Sequence, residues 1–161
     1  MRLSAGEQCA MTQIITSATI QCPVEVVFDY VTTPAHWLTW HPSSIALRGA
    51  TDHSLLVGEQ VTERFLVAGR RGEVIWTVRE REAPRRWVID GVITTGGGGS
   101  GVVSYTLTPR NGATEFIRNF TYPLPNLALA LLDALLVRRR IQAESEQAMR
   151  QLKRRLESSQ A

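Results

Sequence analysis

The last third of the chain places the tightest limit on its fold. A β-prone segment from Thr114 to Tyr122 runs through Pro123 and Pro125 into a stretch, Leu127 to Glu157, that contains no Gly or Pro. That stretch predicts a single helix, and at 1.5 Å rise per residue it would span on the order of 45 Å. So long a closing helix needs something wide beneath it, most simply a curved sheet. Leu131, Leu135, Ile141, Ala148, Leu152 and Leu156 form the apolar stripe that would lie across such a sheet.

The residues before the helix supply the sheet. Ile14 to Ile20 reads as a strand, with Ile14, Ala18 and Ile20 on one face. Pro23 suits a first helical turn, and Val24, Val27, Phe28 and Val31 follow at amphipathic helical spacing. Thr33-Pro34 stops that helix and opens a second short one carrying Trp37 and Trp40, which His41-Pro42 ends. Six strand candidates follow: 44–48, 60–67, 73–81, 87–94, 102–108 and 114–120. The expected joints are residues 69–72, Ala83-Pro84, the glycine run 96–101 and Asn111-Gly112, the last a strong hairpin signal. Val74, Trp76 and Val78 alternate with Glu73, Thr77 and Arg79, so that strand has one buried and one wet face. A bent sheet wrapped on one helix cannot bring every inward side chain into contact. A gap is expected there, and such gaps take small ligands.

Bulk properties exclude several classes. With 161 residues, 43% hydrophobic and 20% charged, the chain is long enough for one sizeable core and far from the disordered class. We expect residues 1–11 to be a flexible N-terminal segment and residues 12–161 to be one domain. Cys9 and Cys22 stand in no metal-ligand or disulfide-framework spacing, which fits a reducing compartment. The N-terminus lacks a signal peptide's apolar core, and Leu124 to Val137 is too short to span a membrane and is broken by Asp133. A cytoplasmic protein without a transmembrane segment is the expectation. Residues 138–157 hold seven cations against three anions, leaving the rest of the chain at −1 of the total +3. With no aromatics interleaved, those cations read as a solvated face favoured near a helix C-terminus rather than as a nucleic-acid surface.

Gly96, Gly98 and Gly101 satisfy the letters of a dinucleotide fingerprint, but a strand follows instead of a helix, so they read as a flexible hairpin loop. His36, His41 and His53 fall in no metal-binding spacing, and there is no nucleophile elbow. We therefore expect neither metal nor organic cofactor.

The opening pattern from Ile14 to Val31, with Pro23 and Val26-Val27-Phe28-Asp29-Tyr30-Val31, is followed by Trp37-x-x-Trp40-His41-Pro42 and by Tyr105 to Phe116. Together with the element order, these motifs resemble the START-like (SRPBCC) superfamily, and within it the bacterial polyketide cyclase/dehydrase branch, over most of residues 12–157. The resemblance implies an α+β helix-grip fold: a seven-stranded antiparallel sheet around the C-terminal helix, two short helices after the first strand, and an internal cavity. It also implies a hydrophobic ligand, such as a lipid, sterol or polyketide, and in some members aldol cyclisation or dehydration within the cavity. It brings no shared catalytic motif.

The expected function is binding of a small hydrophobic molecule in that cavity. Trp37, Trp40, His41, Glu63, Phe65, Trp76, Phe116, Arg118, Phe120, Tyr122, Leu131 and Leu135 are the candidate lining. One alternative is a cyclase or dehydratase using His41, Glu63, Arg118 and Tyr122 as polar participants. There, a proton would be drawn from carbon beside a carbonyl, and Arg118 or Tyr122 would steady the enolate. Another is an interaction protein that uses the basic end of the helix, with a homodimer as one form of it. Glu63 and Arg118 sit on strand faces shared with apolar residues. A buried charge needs a partner, so if both faces point inward the two pair across the cavity or grip a polar group of the ligand, and if the register is opposite Arg118 is a solvated arginine.

Overall fold

The computed structural model describes residues 11–123 and 127–159, and within the last helix the side chains from Leu136 onward. The chain runs β1 (Met11–Ile20), α1 (Val24–Thr32), a 3₁₀ turn (Pro34–His36), α2 (Trp37–Trp40), β2 (Ser44–Gly49), β3 (Gln60–Val67), β4 (Arg70–Glu82), β5 (Arg86–Ile93), β6 (Ser100–Arg110), β7 (Ala113–Pro123) and α3 (Leu127–Ser158). Seven antiparallel strands form one sheet in the order β1-β7-β6-β5-β4-β3-β2. The first two strands therefore occupy opposite edges, and α1 and α2 make the crossing between them. Residues 1–10, which contain most of the expected N-terminal segment, lie outside the described residues, and Met11 already belongs to β1.

Two hairpins turn through paired positive-φ residues, Ala68-Gly69 (φ 49° and 78°) and Asn111-Gly112 (φ 49° and 84°). This twist matches that of the strands they join. The first corrects the expected joint at residues 69–72: Arg70, Arg71 and Gly72 are already paired in β4. Only the two residues with positive φ turn, and the flanking arginines are as strand-competent as any exposed residue. Register shifts at Ser44/Ala46 in β2 and Val78/Glu80 in β4 interrupt the ladder, and such bulges bend and twist the strands that carry them.

The sheet's concave face is filled unevenly. At one end α1 inserts Val27, Phe28 and Val31, and the C-terminal half of α3 adds Ala148, Met149, Leu152 and Leu156, all buried. Trp37, Trp87, Tyr105 and Phe116 continue this core as a chain of ring contacts. Thr114 Oγ1 ties β7 to the β1–α1 connection by donating to the Cys22 carbonyl at 2.7 Å. The other end, under Ile141 and Ser145 of α3, is not filled.

The basic residues of α3 behave as a solvated face. Arg138, Arg139, Arg140, Arg150, Arg154 and Arg155 are exposed, and Lys153 lies 3.6 Å from Glu157. Among the described residues no helix is long and apolar enough to cross a membrane.

Candidate functional site

The unfilled end holds a cavity of about 620 Å³ between the concave face and α3. That is the size range of sites that take drug-sized molecules. Its aromatic wall is Trp37, Phe65, Trp76, Tyr105, Phe120 and Tyr122. The aliphatic wall is Val67, Val74, Ile89, Ile93, Val103 and Ile141, and the polar groups are His41, Ser43, Glu63, Arg118, Glu144 and Ser145. The glycine segment 97–101 also lines it. Gly97 to Ser100 are exposed, so the cavity meets solvent there.

Three glycines make the floor. Gly72 pairs across the ladder with Phe65, and Gly91 with Trp76, while Gly101 sits diagonal to Phe120. In each case the ring occupies the space where a Cβ on the glycine would stand. A Cβ at Gly101 would stand 2.8 Å from the Phe120 ring, and one at Gly91 would meet Trp76 carbons at 2.7 and 2.9 Å. Large side chains thus line the cavity without standing up into it.

The polar groups come from four elements. Glu63 on β3 is buried and accepts a 2.7 Å hydrogen bond from the Trp76 indole N–H. Burial pushes its pKa up; the hydroxyl of Ser44, the indole and the charge of Arg118 act in the opposite direction. Arg118 on β7 is 6% exposed, with Thr16 and Tyr105 as its cross-strand neighbours. Its Nη1 donates to Ser145 Oγ on α3 at 3.4 Å, and its guanidinium lies 5.7 Å from the centre of the Phe120 ring. Burial raises the Tyr105 phenol to about 12, so it is a neutral donor. Glu144 is held by Ser43 Oγ at 3.0 Å and the Ala68 amide at 3.3 Å, which anchors the β3–β4 turn to α3.

His41, where α2 ends, faces this cavity rather than bulk water. Burial first, and then the charge of Arg118, lower its pKa to about 3. A ring so desolvated beside a fixed cation is neutral at physiological pH. His36 and His53 lie elsewhere, one stacked on Tyr30 and the other bonded to Asp52 and Glu59. Among the described residues no group of three or more His, Cys, Asp or Glu is placed to hold a metal ion.

Eight of the candidate lining residues meet at the cavity: Trp37, His41, Glu63, Phe65, Trp76, Arg118, Phe120 and Tyr122. Trp40 and Phe116 do not; both are fully buried in the solid end of the core. They share faces with lining residues, but α1 and α3 close over those rows. The side chains of Leu131 and Leu135, like that of Asp133, lie outside the described residues. Tyr105, Ser145 and the glycine floor were missed. Tyr105 alternates with Val103 and Leu107, a facing signal legible in the sequence. Ser145 follows Ile141 by four residues, but a serine in an apolar stripe reads as a gap.

A sequence model of the family described as polyketide cyclase / dehydrase and lipid transport matches residues 11–157. A curated relative, "Penitrem biosynthesis cluster 1 protein I" of Penicillium ochrochloron, is 29% identical over 110 residues, covering 62% of this chain and 68% of its own. The crystal structure of protein CV1439 from Chromobacterium violaceum superposes with a TM-score of 0.68 at 18% identity, over 90% of this chain and 96% of that one. DynU16, from the dynemicin biosynthetic locus, superposes with a TM-score of 0.64 at 18% identity, over 91% of this chain but 48% of its own. At these identities the solved structures establish the helix-grip architecture.

Proposed function

Because the chain belongs to the polyketide cyclase/dehydrase and lipid transport family, we propose that it binds a small hydrophobic molecule of lipid, polyketide or aromatic type between the sheet and α3. The observation that carries this reading is the cavity of about 620 Å³ itself, walled by six aromatic rings and by aliphatic side chains and open at the glycine segment. Apolar surface left facing water gives up roughly 25 cal/mol per Å² of burial, which a ligand of matching shape recovers. Native mass spectrometry of protein purified from its own host would weigh a retained ligand. A thermal-shift panel of fatty acids, sterols and aromatic polyketides should raise the melting temperature for at least one class. No retained mass and no shift with any member would refute the proposal.

A second reading, a cofactor-independent cyclase or dehydratase in the same cavity, is supported by Glu63, Arg118 and Tyr105 lining one chamber. A buried carboxylate with a raised pKa is suited to take a proton from carbon beside a carbonyl, and a guanidinium and a phenol are suited to hold the enolate oxygen. Tyr122 lies further along β7 toward the opening. Turnover of a poly-β-ketone that Glu63→Gln abolishes, with binding intact, would establish this reading. Binding without turnover would leave the first.

A further inference from the structure

We propose that the cavity's ligand is a hydrophobic molecule ending in a carboxylate, and that Arg118 receives that carboxylate. This rests on the cavity being a ligand site, as argued above, and adds the chemistry of the ligand's head.

A guanidinium carries five N–H donors and, unlike a lysine, does not escape burial by shedding its charge. Among the described residues the polar partners of Arg118 are two neutral hydroxyls, Ser145 through a long 3.4 Å contact and the Tyr105 phenol, and its Nε is buried with no partner. No described carboxylate lies within 4.0 Å of it. The two acids lining the cavity are otherwise engaged, Glu63 with the Trp76 indole and Glu144 with Ser43 and Ala68. The Arg118 charge is nevertheless felt across the chamber, acting on His41, Glu63 and Tyr105 from three different elements. A buried cation with so few partners is costly, and an anion delivered by the ligand is the group that offsets it. A carboxylate matches the planar fork, and one guanidinium matches its single charge.

A separate observation points the same way. Val67 and Ile141 line the cavity, and exposed arginines flank both: Arg70 and Arg71 after the β3–β4 turn, and Arg138, Arg139 and Arg140 just before Ile141 on α3. Such a group raises the local concentration of anions and guides them inward. The chamber thus offers an apolar body with one cation inside and five cations flanking its lining.

The test compares dodecanoate with dodecanol on ligand-stripped protein, by titration calorimetry at fixed ionic strength. A charge-assisted contact to Arg118 should make dodecanoate bind about tenfold more tightly or better. Arg118→Met, which keeps the packing, should bring the two affinities within about threefold of each other. If dodecanol binds and dodecanoate binds no tighter, the carboxylate inference falls and the cavity reading stands. If neither binds, the carboxylate inference falls, and the cavity reading is decided by the wider thermal-shift panel. A preference that survives Arg118→Met belongs to the flanking arginines and overturns the role given to Arg118. The wild-type comparison needs no variant to fold, and Arg118→Lys gives a second variant, expected to lose about fivefold for dodecanoate because the fork is gone.

Discussion

Replacing Gly91 by alanine adds one methyl group where the indole of Trp76 lies against the β5 backbone. The backbone itself does not object, because Gly91 is not among the glycines with positive φ. An alanine there would even stabilise by about 0.4–1 kcal/mol through the unfolded chain. The ring objects. To restore ordinary contact at 3.4 Å from a carbon that would stand at 2.7 Å, it must lift by at least 0.7 Å (3.4 − 2.7) into the cavity. A lift of that size along the indole bond would stretch the 2.7 Å hydrogen bond to Glu63 to about 3.4 Å. Overpacking costs about 1–3 kcal/mol, and weakening a hydrogen bond to a buried acid adds up to about 1.5–3. A net loss of about 2–3 kcal/mol is expected, or about 4–12 °C in melting temperature for a domain of this size. Thermal unfolding of wild type, Gly91→Ala, Trp76→Leu and the double variant measures it. With the ring removed, the alanine should cost almost nothing, giving a coupling of about 2–3 kcal/mol. Additive losses, or a Gly91→Ala protein that melts with wild type, would refute the account of the cavity floor.

Other outcomes follow from the same geometry. His41 has a folded pKa, about 3, below its unfolded value. Between those values the unfolded chain holds more protons, so stability should fall on acidification from pH 6.5. The slope should approach about 1.4 kcal/mol per pH unit, and urea titrations of His41→Gln should lack this component. Glu63 has the opposite sign: its folded pKa is raised, so the native state resists losing the proton and stability falls as pH rises past the ordinary value of 4.5. Glu63→Gln keeps an acceptor for Trp76 and should therefore gain stability relative to wild type between pH 5 and 8; a constant difference would contradict this. Thr114→Val strands the buried Cys22 carbonyl and should cost about 1–3 kcal/mol in denaturant unfolding, whereas an unchanged midpoint would mean that the carbonyl finds another donor. Leu152→Ala, at the solid end of α3, should cost about 2–5 kcal/mol while leaving ligand affinity intact; loss of binding at preserved stability would show that the two ends are not independent.

Local rules of the chain determined the element order, the unbroken final helix and the inward faces of the strands. Alternation of apolar and polar residues sets which face of a strand is buried, and glycine or proline sets where a segment stops. By that route Glu63, Arg118, Phe65 and Trp76 were legible as candidates before any geometry. Tertiary structure alone decided which inward rows meet α1 and the end of α3, and so are packed solid, and which face empty space. Trp40 and Phe116 went to the first set, and Tyr105 and Ser145 to the second. It also decided that His41 is neutral and that Arg118 has no described carboxylate within reach. A side chain's solvation depends on how far the closing helix stands from the sheet, and that distance is a property of the assembled layers rather than of any segment.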